Sequence, residues 1–148
     1  ESIIIDILKR KKLTIAIAEL TSAGVASARL SNADTDGLTF LGGIVPNSKV
    51  SRTKVLGLDN DRVGTKEAAT RLAENVKSLF SADIGLSITG AHDVDGKSSK
   101  GDTYLGISFR GVNLIEKVLL PGDKTRIGQF SVISLLNALR LYLDKTTS

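Results

Sequence analysis

The run Leu13-Thr14-Ile15-Ala16-Ile17-Ala18 leads directly into Glu19-Leu20-Thr21-Ser22-Ala23-Gly24 and then into a helical pattern. An apolar strand that feeds a tight turn of small residues at a helix start is a strand–helix unit of an α/β fold. Such a turn presents free backbone N–H groups and the positive end of a helix dipole, which suits a phosphate or a developing oxyanion. The position just after Glu19, best placed for a nucleophile, holds Leu20, which has no reactive atom.

Strand and helix patterns alternate along the rest of the chain. Ile3, Ile4, Ile5, Ile7 and Leu8 before a basic end fit an amphipathic helix of about ten residues with cations at its C-terminus. After the strand at 13–18, apolar positions between Ser22 and Ser31 fit a helix that stops near Asn32. Leu38 to Val45 reads as a second strand and Asn47 to Leu56 as a short helix. The clearest helix opens at Thr65, a capping residue, and repeats Ala68, Ala69, Leu72, Ala73, Val76, Leu79 and Phe80 at helical spacing. Ala82 to Thr89 is a buried strand, and Gly90 to Asp102 a polar loop punctuated by glycine. Thr103–Phe109 and Val112–Leu120 form a hairpin around Arg110-Gly111, and a last helix runs from about Asp123 to Leu143. The expectation is one domain over residues 1–148, a three-layer α/β/α sandwich. Its sheet is mixed and mainly parallel, with a C-terminal antiparallel hairpin.

Composition removes several classes of function. No apolar run approaches the ~20 residues of a membrane span. No signal-peptide pattern opens the sequence, so a cytoplasmic protein is the expectation. The chain has no cysteine, which excludes disulfides, thiolate metal sites and a cysteine nucleophile. A net charge of +4 and a pI near 9.4 point to anionic partners. The basic residues are scattered, however, and two Tyr and four Phe make no stacking platform, so nucleic acid is not expected.

The turn and four later segments together resemble the C-terminal domain of the competence/damage-inducible protein CinA, a family that includes nicotinamide-mononucleotide deamidases. The family's Glu-Ser-Cys-Thr-Gly-Gly stands where this chain has Glu19 to Gly24. Its Gly-Gly-Val-Val-x-Tyr-Ser-Asn-x-x-Lys aligns with Gly42-Gly43-Ile44-Val45-Pro46-Asn47-Ser48-Lys49-Val50-Ser51-Arg52, and its Leu-Gly-Val with Leu56-Gly57-Leu58. Its Ile-Thr-Gly-Ile-Ala-Gly-Pro-Asp-Gly-Gly aligns with Ile88-Thr89-Gly90-Ala91-His92-Asp93-Val94-Asp95-Gly96-Lys97, and its Pro-Gly-Asp-Arg with Pro121-Gly122-Asp123-Lys124. The likeness spans about residues 5 to 143.

The resemblance implies a metal-independent deamidation without a cofactor, with its parts at these segments. Residue by residue, the family's Ser becomes Leu20, its Tyr Asn47, its Asn Lys49 and its Lys Arg52, whose guanidinium stays protonated and cannot act as a base. Its Arg becomes Lys124, and a further Arg one turn on becomes Gly128. Glu19, Gly24, Ser48, Thr89, Gly90, Asp95, Gly96 and Asp123 are retained. Lys49, Arg52 and Lys124, with Arg126, are expected to converge on one cleft and favour an anion; the alternative is plain surface solvation.

Thr21 or Ser22 could stand in for the lost serine, the alternative being that one of them simply caps the helix. Neither has a base beside it in the sequence, and an unactivated hydroxyl is a poor nucleophile at neutral pH. His92, in the polar loop beside the carboxylates of Asp93 and Asp95, is a candidate general base; a weak metal site or a solvated loop are the other readings, and no metal is expected. Lys97, Ser98, Ser99 and Lys100 are either a phosphate-steering rim or a hydrated one. Two functions follow. The favoured one is a catalytically silent relative that binds a small anionic nucleotide or serves regulation, because Leu20 and Arg52 remove both the attacking and the proton-accepting group. The other is a divergent amidohydrolase that converts nicotinamide mononucleotide to the nicotinate form plus ammonia. The resemblance also implies a homo-oligomer.

Overall fold

The computed structural model describes residues 1–58, 63–90 and 102–146. In chain order these form α1 (Ser2–Lys11), β1 (Ile15–Glu19), α2 (Val25–Ala33), β2 (Phe40–Ile44), α3 (Lys49–Leu56), α4 (Lys66–Phe80), β3 (Ile84–Gly90), β4 (Asp102–Phe109), β5 (Val112–Leu119) and α5 (Lys124–Thr146). Among the described residues the strands make one sheet in the order β2-β1-β3-β4-β5. Both β1–β2 and β1–β3 pair parallel; β3–β4 and β4–β5 pair antiparallel. Since only β4 is reversed, four strands of the five point one way, and the expected mixed, mainly parallel α/β sandwich is what forms.

The layers follow from a two-residue alternation of large and small side chains. Ile15 and Ile17 of β1, Ile84, Leu86 and Ile88 of β3, and Leu105, Ile107 and Phe109 of β4 all enter one core with α1, α2 and α5. The intervening Ala16 and Ala18 face the opposite core, with Leu56, Leu72 and Val76. Successive strand residues point to opposite faces, so this pattern sets both the register and the thickness of each layer. Each fully buried Ile or Leu contributes about 1.5–3 kcal/mol.

On the small-residue face α4 lies almost against the backbone of the sheet. A Cβ on Gly85 would collide with the Ala73 carbonyl of α4, and one on Gly106 would meet the Ala69 carbonyl at 2.8 Å. The Ser87 hydroxyl donates to that same Ala69 oxygen at 2.6 Å, so a polar strand residue is satisfied inside the contact. Thr65 caps α4 as its sequence suggests, its hydroxyl accepting from the Ala68 amide at 3.1 Å. The hairpin turns at Arg110 and Gly111, with φ of 50° and 75°, the double left-handed geometry of a tight two-residue loop.

Several boundaries differ from the sequence expectation: β1 begins at Ile15 rather than Leu13, α3 at Lys49 rather than Asn47 and β3 at Ile84 rather than Ala82, and two further differences have an identifiable cause. The second strand begins at Phe40, not Leu38, because the buried Asp34 carboxylate takes the amides of Thr39 and Phe40 at 2.9 and 2.7 Å. Lys9 approaches the other Asp34 oxygen at 3.4 Å and Asp36 at 2.8 Å. The bond to Lys9, followed by the Leu38 amide, lowers the Asp36 pKa, and the same bond raises that of Lys9. The second difference is that α2 begins at Val25 rather than Ser22, for a reason that belongs to the site. No helix among the described residues is long and apolar enough to cross a membrane.

Gly85→Ala should lower unfolding free energy by about 3 kcal/mol in urea titration, since the obstructing atom is helix backbone and cannot rotate away. A change within 0.5 kcal/mol would show that α4 is not seated as described.

Candidate functional site

The chain passes from β1 through α2 to β2 on one side, and from β2 through α3 and α4 to β3 on the other. The helix that follows β1 and the helix that precedes β3 therefore lie on opposite faces of the sheet, and the topology switches at the carboxyl ends of these two strands, the place where ligands settle in open α/β sheets. Glu19, paired with Ile88, closes β1 there, and Thr89 and Gly90 close β3.

Glu19 is fully buried and accepts four hydrogen bonds. Oε1 takes the Ala26 amide at 2.9 Å and the Ser22 hydroxyl at 2.5 Å. Oε2 takes the Ser27 amide at 2.8 Å and the Ser27 hydroxyl at 2.6 Å. Ala26 and Ser27 are the second and third residues of α2, so the strand's last side chain caps the helix that follows. A buried carboxylate is tolerated because charge-assisted bonds and the helix dipole replace its water. The turn between runs through left-handed conformations at Ala23 (φ 48°) and Gly24 (φ 99°), and Gly24 is the residue before the first helical turn. This corrects two expectations. The leading amides of α2 hold an internal carboxylate rather than standing free for a ligand, and Ser22 does not cap the helix but donates to Glu19.

The Thr21–Val25 turn meets the start of α5, and between them lies a cavity of about 210 Å³ lined by Thr21, Ser22, Val25, Lys124, Thr125 and Gln129, among others. Asp123 begins α5 by accepting the Arg126 amide at 2.9 Å. Gly128 lets the helix backbone close on the turn: a Cβ there would sit 3.1 Å from the Thr21 carbonyl oxygen. Two helix N-termini and the Lys124 cation thus border a small space with hydroxyl groups on its wall, a surrounding suited to an anion.

Of the predicted site residues, Thr21, Ser22 and Lys124 come together on this cavity, with Glu19 directly behind Ser22. Leu20 is 7% exposed and packs into the α4-side core. Ser48 caps α3, its hydroxyl accepting from the Ser51 amide at 3.0 Å, and Lys49 follows exposed on the first turn. Arg52 is largely buried and donates to the carbonyls of Pro46 and Asn47 at 3.3 and 3.0 Å. Thr89 is buried and donates to the Val63 carbonyl. The expected convergence of cations is corrected: Lys124 lines the cavity, whereas Lys49, Arg52 and Arg126 do not. His92, Asp95 and Gly96, with Lys97 to Lys100, lie outside the described residues. Among the described residues no cluster of acidic or histidine side chains has metal-site geometry.

Sequence reasoning missed Ser27, Thr125 and Gln129. The spacing of Ser27 eight residues beyond Glu19 offers no motif, because the two meet only when the turn folds back. Thr125 and Gln129 follow the Pro-Gly-Asp segment on one helical face, a signal that was available.

Comparison with known proteins extends this picture. The profile of the CinA C-terminal domain matches residues 1–143. A CinA-like protein of Dictyoglomus thermophilum is 31% identical over 148 residues, covering 95% of this chain and 36% of the relative, so the chain spans about a third of that protein's length. Among solved structures, a competence-damaged protein (CinA) superfamily protein from Klebsiella pneumoniae has a TM-score of 0.86 at 18% identity, over 96% of this chain and 94% of the other. One of the same superfamily from Escherichia coli has a TM-score of 0.85 at 18% identity, over 95% and 87%. At that identity the likeness is one of fold.

Glu19→Gln leaves one acceptor oxygen where four donors meet and places an amide N–H₂ against backbone N–H groups. It should cost about 3 kcal/mol, read as a fall in urea midpoint at unchanged slope, whereas Ser22→Ala should cost about 1 kcal/mol. Equal, small losses for both would mean that the carboxylate does not organise the turn.

Proposed function

The chain belongs to the CinA C-terminal domain family, and from that premise we propose that it is a catalytically silent member which binds a small anionic nucleotide in the cavity between α2 and α5. The observation that carries this reading is the occupation of Glu19. Its carboxylate is committed to two helix amides and two hydroxyls, while the residue beside it, Leu20, is core. A deamidation needs an attacking group and a proton acceptor in reach of the substrate. Leu20 supplies neither, and Arg52 is bound to the loop that precedes α3.

Binding needs less. Lys124 offers a point charge to a phosphate, the N-terminus of α5 adds a favourable dipole end, and the hydroxyls of Thr21 and Thr125 can orient a ribose or phosphate oxygen. The cavity matches a phosphate with part of a sugar, so a mononucleotide would extend beyond it toward the carboxyl ends of β1 and β3.

One observation favours the other reading, a divergent amidohydrolase that turns nicotinamide mononucleotide into its nicotinate form plus ammonia. The Ser22 hydroxyl lies on the cavity and 2.5 Å from a carboxylate, so the base that the sequence did not show beside it is there in the fold. Such a pair could activate an attack, although the same oxygen is already shared with the Ala26 amide.

Nicotinamide mononucleotide separates the two. The binding account expects no ammonia above a boiled control and a melting temperature that rises with nucleotide concentration, a rise that Lys124→Glu removes. Ammonia release that Ser22→Ala abolishes would establish the amidohydrolase instead.

A further inference from the structure

On the reading that the cavity at Lys124 takes a nucleotide phosphate, we propose that the full ligand is a dinucleotide whose second nucleoside lies in the groove between α1 and α5. This groove, of about 200 Å³, is lined by Ile3 of α1, Arg29 of α2, and Ile133, Leu136 and Arg140 of α5, among others. It adjoins the cavity along the same pair of packed helices. Val25 and Gln129 line the cavity, whereas Arg29 and Ile133, each four residues further on, line the groove. Four residues of helix advance about 6 Å, so the two spaces follow one another along the seam of α2 and α5. A mononucleotide with its phosphate at Lys124 and its base toward the carboxyl ends of β1 and β3 does not enter the groove. A group attached on the other side of that phosphate is led into it past Gln129.

The chemistry of the groove suits a base and its ribose rather than a second, separate anion. Arg29 is paired with Glu1 at 2.8 Å and Arg140 with Asp144 at 3.8 Å, so its cations are already balanced by carboxylates. Ile3 and Ile133 stand on opposite walls, 66% and 52% exposed, and a flat base between them takes that apolar surface out of water. A guanidinium plane can stack on the same base. The Glu1 carboxylate, bonded to Arg29 through one oxygen, keeps acceptor capacity for ribose hydroxyls. The longer ligand needs no further cation at Lys124. The two phosphates of a pyrophosphate diester carry one charge each, close to the −1.5 to −2 of a single phosphate monoester near neutral pH.

Calorimetry on the whole chain compares nicotinamide mononucleotide with nicotinamide adenine dinucleotide, which is the same mononucleotide extended by adenosine monophosphate. The dinucleotide should bind about tenfold more tightly or better. Ile133→Asp should remove that gain and leave binding of the mononucleotide within about twofold, whereas Lys124→Glu should weaken both. If Ile133→Asp loses the circular dichroism of the fold, Ile3→Asp on the opposite wall decides. A dinucleotide that binds no more tightly than the mononucleotide, or a gain that survives both substitutions, would overturn the proposal and leave the mononucleotide reading standing. Failure of both probes to bind would remove the nucleotide reading itself, and the dinucleotide with it.

Discussion

The carboxylate of Glu19 organises the carboxyl end of β1, on which the candidate site depends. Strand β1 finishes on it, helix α2 begins on it, and the turn between them is drawn into two consecutive left-handed residues to make the meeting possible. Each charge-assisted bond to it contributes about 1.5–3 kcal/mol, and losing the acceptor would strand the Ala26 and Ser27 amides that it satisfies. A helix start that elsewhere in protein structures receives phosphate here receives a residue of its own chain. The positive end of α2 is therefore partly neutralised, and Lys124 and the start of α5 carry what attraction for anions the neighbouring cavity retains.

The sheet supports this arrangement from below. Large side chains on one face and small ones on the other let α4 approach the strands closely while α2 and α5 stand on a thicker aliphatic layer. The parallel register of β1 and β3, which pairs Glu19 with Ile88, brings Glu19, Leu20 and Thr89 to the same end of the sheet. Within that frame three residues singled out from the sequence hold structural posts: Ser48 on a helix cap, Arg52 on two carbonyls, Thr89 on the chain entering α4.

Much of this was legible in the residues. The Ile-Ala-Ile-Ala and Ile-Gly-Leu-Ser-Ile alternations mark strands buried on both faces, and Arg110-Gly111 and Thr65 mark a hairpin and a helix start that form where the sequence puts them. The motif order led to the family and the fold together. The site was less legible, since its decisive contacts are made through space. Nothing in the spacing of Glu19, Ser22, Ala26 and Ser27 announces that one carboxylate will gather them; that depends on the turn angle after Gly24. Likewise the resemblance groups Lys49, Arg52, Lys124 and Arg126 on one cleft, yet burial and packing send Arg52 inward and leave Lys124 alone of the four at the cavity. Local chemistry can be read along a chain, but the direction in which a side chain turns is settled by packing.

Amide hydrogen exchange at Ala26 and Ser27 tests the central claim most directly. If Glu19 is the permanent partner of these two groups, both should be protected in the ligand-free protein, unchanged by saturating nicotinamide mononucleotide, and released in Glu19→Gln. Fast exchange without ligand that becomes slow when the nucleotide is added would contradict the account and show that the turn is a ligand site after all.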